Sequence, residues 1–215
     1  MTVFVAMLRG VNVGGNSTIK MDALKALCES LGLRDVRTLI NSGNVLFRSG
    51  LKDRARLAKR LEQEIERRFD LRIDVLLRTL PELEMLVERG PALSARQDPS
   101  KLLVMFLSGV PDKKTQAALQ KAHGGPESIE IRGPEVYLYY PDGVGRSKLT
   151  NAFIEAKLDV AGTARNWNTI GKLIEAGKAL EDGGSKAAGS TQSRGSPLGH
   201  SASNGKGRIS VLKVK

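Results

Sequence analysis

At 215 residues with 40% hydrophobic content, the chain can bury one large core or two small ones, which excludes a disulfide-dense mini-protein. One cysteine, Cys28, excludes an intramolecular disulfide; the two separated histidines, His123 and His200, leave a Cys/His zinc site without a ligand set, and no cofactor is implied. The net charge of +11 points to acidic partners, nucleic acid or nucleotides among them, and serves solubility equally well.

Thr2 to Leu8 is apolar on both alternating faces, which predicts a central strand covered on both sides. No basic stretch precedes it and it ends at Arg9, so it does not read as a signal peptide. No run is long enough for a membrane span, and the expectation is a soluble, cytoplasmic protein. Arg9 to Asn16 is a glycine- and asparagine-rich loop. Met21, Leu24, Leu27, Cys28 and Leu31 then recur at helical spacing until Gly32 stops the helix. Cys28 lies on the apolar stripe, so packing is the expected role of its thiol. Val36 to Ile40 and Val45 to Phe47 read as strands around the turn Asn41-Ser42-Gly43-Asn44. Leu57, Leu61, Ile65 and Phe69 mark a second helix with a solvated outer face. Arg72 to Arg78 alternates as a fourth strand, and Pro81 starts a short helix.

The order β-α-β-β-α-β is that of a ferredoxin-like unit. After a linker from Gly90 to Ser100 the order repeats. Leu102–Leu107 is a strand, Asp112–Ala122 a helix, and Ser128–Ile131 with Val136–Tyr140 a hairpin about Gly133-Pro134. A glycine loop spans Pro141 to Arg146, Ser147 is the expected cap of a helix carrying Leu149, Phe153 and Ala156, Gly162–Arg165 is a strand, and Trp167–Ala176 a last helix. The repeat is one of pattern rather than of identical residues. A lone unit of this kind leaves one sheet face open, so the two halves are expected to cover one another. The reading is an α+β duplication of two ferredoxin-like subdomains, residues 1–90 and 101–177. Residues 178–215 form a basic low-complexity tail whose composition from Gly183 onward predicts disorder. Seven basic residues and two acids lie in that tail.

Four segments carry a resemblance: Leu8-Arg9-Gly10-Val11-Asn12-Val13-Gly14-Gly15, Asn41 to Phe47, Pro141 to Leu149, and Thr163 to Thr169. In this order and spacing, over residues 1–177, the chain resembles the bacterial family known as domain of unknown function 1697. The resemblance implies the same duplicated ferredoxin-like fold. It implies no activity and supplies no catalytic residues.

Candidate binding residues follow from residue type. Arg9, Asn12, Gly14 and Gly15 in the first loop, with Asn44, form one group. Gly143, Gly145, Arg146, Ser147 and Lys148 combine a free backbone, an expected helix start and two cations, which suits an anion. Arg165 and Trp167 offer a guanidinium and a ring for stacking on a base. Each also has a plain reading as a turn, cap or packing residue. Neither loop matches a Walker A or dinucleotide fingerprint. No Ser-His-Asp set is evident, and Asp142 is a lone candidate acid or base. The best reading is a module that binds a phosphorylated small molecule or a nucleic-acid segment; an enzyme acting on an anion, or a scaffold without a ligand, are the alternatives. The oligomeric state is left open.

Overall fold

The structure is a computed structural model that describes residues 1–12, 18–39, 43–91 and 98–189. The first half runs β1 (Thr2–Leu8), α1 (Met21–Ser30), β2 (Arg34–Leu39), β3 (Asn44–Ser49), α2 (Arg54–Phe69), β4 (Val75–Thr79) and α3 (Leu80–Arg89). The second runs β5 (Leu102–Leu107), α4 (Lys113–Ala122), β6 (Ser128–Arg132), β7 (Glu135–Tyr139), α5 (Asn151–Leu158), β8 (Gly162–Asn166) and α6 (Trp167–Gly189). Each half builds a four-stranded antiparallel sheet, in the orders β2-β3-β1-β4 and β6-β7-β5-β8.

The helices form where pattern and caps agree. In α2, Leu57, Leu61 and Ile65 recur every fourth residue and are buried, while Asp53 accepts a hydrogen bond from the Arg56 N–H. α3 opens with a reciprocal box in which Thr79 and Glu82 satisfy each other's backbone N–H groups, with Pro81 in its first turn. At about 1.5–3 kcal/mol for each fully buried aliphatic side chain, these stripes outweigh the modest propensity terms of the same helices.

The two-faced apolar pattern of β1 has a direct cause. Phe4, Ala6 and Leu8 pack under α1 and α2, against residues such as Leu24, Leu27 and Leu61. Val3, Val5 and Met7 point the other way, into a core shared with Val104 and Phe106 of β5. Leu80 and Leu83 of α3, and Ile170, Leu173 and Ile174 of α6, complete that shared core. Met105 and Leu107 face Leu119 of α4 and Ile154 of α5. The expected mutual covering of the two halves is therefore met, with α3 and α6 belonging to the common layer. Their close approach depends on Gly177, where an added Cβ would fall 2.7 Å from Leu80 Cδ1.

Several boundaries differ from those read in the sequence. α6 continues past Ala176 to Gly189, because Leu180 is itself buried in the shared core. The division drawn at residue 177 thus falls inside a helix; residues 190–215 lie outside the described residues. β4 begins at Val75 rather than Arg72. Asn44 is the first residue of β3 and fully buried, not an exposed turn residue; Asn41 and Ser42 lie outside the described residues. Ser147 does not cap α5. Thr150 does, accepting from the Phe153 N–H at 3.2 Å, because Val144–Arg146 form a 3-10 turn that delays the helix.

Candidate ligand pocket

The sequence-derived candidates fall into two sets. The first lies along the seam between the halves. Arg165 sits on β8 opposite Val104, as Arg78 sits on β4 opposite Val5. Both side chains enter the shared core and reach across it in matching ways. Arg165 Nη2 donates to the Leu8 carbonyl at the end of β1 (3.0 Å), and Arg78 Nη2 to the Leu107 carbonyl at the end of β5 (3.2 Å). Arg165 Nε donates to Asn44 Oδ1, the first residue of β3, at 2.5 Å; Arg78 Nε donates to Glu135 Oε1, the first residue of β7, at 3.0 Å. Arg165 also donates to Thr163 Oγ1 and the Ala164 carbonyl. Burial pushes the Arg165 guanidinium down to about 10.

Arg9 belongs to this seam as well. Its Nε and Nη2 hold both oxygens of Glu155 in α5 at 2.7 and 2.8 Å, and Nη1 reaches Asp74 at 3.3 Å. The Glu155 hydrogen bond, and then the neighbouring carboxylates, outweigh desolvation and raise the Arg9 pKa. Burial pushes Glu155 up, but bonds from Arg9 and the Gly162 N–H bring it below the usual carboxylate range. Asn12 has φ +56 and braces its own loop, its amide exchanging two hydrogen bonds with the Ile19 backbone. Gly14 and Gly15 lie outside the described residues. Trp167 begins α6 and is partly buried against Tyr137, ring centroids 6.5 Å apart. A cleft of about 370 Å³ opens on the seam, and three of its four lining arginines are held by partners: Arg54 by Glu82, Arg78 by Glu135, and Arg132 by Glu130 and the Gly90 carbonyl.

The second set lines a pocket of about 860 Å³ on the second half. Two connections build it. The β7–α5 loop supplies Asp142, Gly143, Arg146, Ser147 and Lys148; the α4–β6 loop supplies His123 to Glu127; Leu149 and Phe153 give an apolar wall. Gly143 takes φ +84, a conformation that favours glycine, and so turns the chain away from β7. Ser147 Oγ donates to Glu127 Oε1 and accepts from the Leu149 N–H at 2.9 Å, tying one loop to the other. The Ser147 hydrogen bond outweighs desolvation and holds the Glu127 carboxyl below its usual range. His123 Nε2 lies 2.8 Å from the Glu127 carbonyl and 3.7 Å from Glu127 Oε2. Arg146 and Lys148 are exposed at the pocket.

Gly143, Arg146, Ser147 and Lys148 are thus brought together, with Gly145 in the same 3-10 turn as Arg146. Arg9, Asn44, Arg165 and Trp167 are not among the lining residues. The sequence alone gives His123 no place in a zinc site and singles out no role for Glu127. The usable signal was topological. In a β-α-β-β-α-β unit the connection entering the second strand and the one leaving the third lie at the same sheet end, so His123-Gly124-Gly125-Pro126 had to neighbour the glycine loop.

Fold and pocket define an α+β protein of two like antiparallel sheets, with no described helix long and apolar enough to cross a membrane. Residues 1–137 match the family model described as "Protein of unknown function (DUF1697)", and the chain belongs to that family. The match ends before the glycine loop at 142–148. Among solved structures the chain is similar to the conserved bacterial protein SP0830 from Streptococcus pneumoniae. The two share 22% sequence identity at a TM-score of 0.65, over 82% of this chain and 98% of that one, a likeness of fold alone. No curated protein matches the chain.

Proposed function

We propose that the protein is a duplication of two ferredoxin-like units that binds a phosphorylated small molecule in the pocket of its second half. The strand orders and the matched positions of Arg78 and Arg165 support the duplication. The observation that carries the binding reading is that Arg146, Lys148 and the Gly143 turn border one pocket with an apolar wall at Leu149 and Phe153. Exposed cations beside a glycine-rich backbone suit phosphate oxygens, and the wall suits an organic body. A small molecule is favoured over a nucleic-acid segment laid on a sheet, because the inner faces of both sheets, Tyr137 included, are buried in the shared core. The basic residues beyond Lys178 add non-specific attraction for anions.

Calorimetric titration with aryl phosphates tests this. Binding should weaken about tenfold in Arg146→Ala and Lys148→Ala and fall with added salt. Phosphate binding that is indifferent to both substitutions would overturn it. A second reading, an enzyme acting on the bound anion, is favoured by Asp142 and His123 lining the same pocket, since both can carry a proton. Its check is turnover that Asp142→Ala abolishes while binding persists.

A further inference from the structure

The phosphate reading leaves one wall of the pocket unexplained. The Glu127 side chain is only 8% exposed, yet it borders the pocket as a carboxylate. Its Oε1 is taken by Ser147. Its Oε2 has His123 Nε2 at 3.7 Å, while that nitrogen lies closer to the Glu127 carbonyl, at 2.8 Å, and the Glu127 backbone N–H bonds to its own carboxylate. Oε2 also lies over the Gly125 backbone, where an added Cβ would come within 2.1 Å of it. Among the described residues no lysine or arginine forms an ion pair with Glu127. Arg146 and Lys148 stand on the facing loop instead, exposed. The Ser147 hydroxyl and the backbone N–H keep this carboxyl ionised, so it presents a negative charge to the pocket with no described lysine or arginine set against it. A scaffold needing only to fasten two loops would have served with a neutral acceptor for the Ser147 hydroxyl.

We infer that the ligand is dipolar: a phosphate monoester that also carries an ammonium group. Its phosphate meets Arg146 and Lys148, its apolar body lies against Leu149 and Phe153, and its ammonium pairs with Glu127 Oε2. This rests on the phosphate-binding reading above and adds the second charge to it. Glu127 is then the specificity-determining residue, disfavouring plain phosphates by leaving its carboxylate unpaired and disfavouring phosphates that carry a second anionic group by repulsion.

The test uses the full chain and two probes of equal heavy-atom count, tyramine phosphate and 4-propylphenyl phosphate, which differ by an ammonium in place of a methyl. Tyramine phosphate should bind about tenfold more tightly, and Glu127→Gln should shrink that ratio to about twofold. Glutamine still accepts from Ser147, so 4-propylphenyl phosphate should bind the variant at least as tightly as it binds the wild type. Equal affinity of the two probes for the wild-type protein overturns the dipolar ligand and leaves the phosphate reading standing. Equal loss of both probes in Glu127→Gln makes Glu127 a loop fastener and also overturns it. If neither phosphate binds the wild type, the phosphate reading itself falls and takes this inference with it. The wild-type ratio decides the matter even if the variant fails to fold.

Discussion

The two halves share strand order and differ in their loops. In the first half α1 passes to β2 through Leu31–Leu33, and β3 passes to α2 through Gly50–Asp53. In the second half the equivalent connections are His123–Glu127 and Tyr140–Thr150. Those two longer loops meet and make the pocket. The first half spends its extra length elsewhere, between β1 and α1, at the opposite end of its sheet; the second joins β5 to α4 by Ser108–Asp112. The shared strand order thus accommodates a ligand-sized pocket between the longer loops of the second half, because loop length can change without disturbing the paired strands.

The seam shows the complementary lesson. Arg78 and Arg165 occupy matching places and make matching reaches, yet one meets a carboxylate and the other a carboxamide. The largest expected effect of any substitution follows from this. Arg165→Ala leaves the buried Asn44 amide oxygen and the Leu8 carbonyl without their guanidinium donors and should cost about 3–5 kcal/mol in urea unfolding. A loss below about 1 kcal/mol would show that the seam does not depend on it. Arg78→Ala should cost less, about 2–3 kcal/mol, because its orphaned Glu135 can turn toward water from a side chain already 18% exposed. Equal losses at the two sites would erase the distinction drawn between them.

Arg9→Ala should be milder again. Its bidentate bond to Glu155 crosses the halves, but its side chain is 42% exposed, so about 1 kcal/mol is expected, shrinking at high salt. A salt-independent loss would point to packing rather than charge. Substitutions in the pocket should invert the pattern. Arg146→Ala and Lys148→Ala should leave stability within about 0.5 kcal/mol while weakening phosphate, since both are exposed and outside any core cluster. A stability loss comparable with that at the seam would merge the two regions again.

Near neutral pH the smallest effect is that of Cys28, whose thiol burial pushes up to about 12. The folded protein keeps this proton while the unfolded chain releases it near 9.0, so stability is intact below pH 9 and declines as pH rises toward 12. Urea midpoints from pH 8 to 10.5 should therefore fall faster for the wild type than for Cys28→Ala. Parallel decline in the two proteins would remove Cys28 from the account. Tyr140, also pushed up to about 12 by burial, has its hydroxyl donating to the Leu149 carbonyl, and adds to the fall above pH 10 in both proteins.

Most elements were legible in the residues because their signals are local. Gly32 stops α1 with φ +77, and Gly133 turns the β6–β7 hairpin with φ +58, each where the pattern placed it. The apolar strands β1 and β5 announced that both of their faces would be covered. The delayed start of α5 was not legible, since Ser147 and Thr150 are both competent caps and the choice fell to the 3-10 turn before them. Nor was the end of α6. Composition from Gly183 favours an unstructured chain, but Leu180 and the preceding turns find apolar partners in the shared core.

By itself the sequence determined the strand and helix order, the duplication of pattern, the excess of positive charge and the glycine loop at 142–148. These depend on periodicity, caps and turns, which act over a few residues. The tertiary structure decided what the arginines and asparagines are for. Arg9, Asn44 and Arg165 look like loop or ligand residues in one dimension, but partners from the opposite half, more than a hundred residues away, claim their donors and acceptors. Arg146 and Lys148 look no different in sequence and remain at the surface, because the loops that meet there leave a pocket instead of a core. Burial and long-range partners, which no local pattern encodes, separate the two.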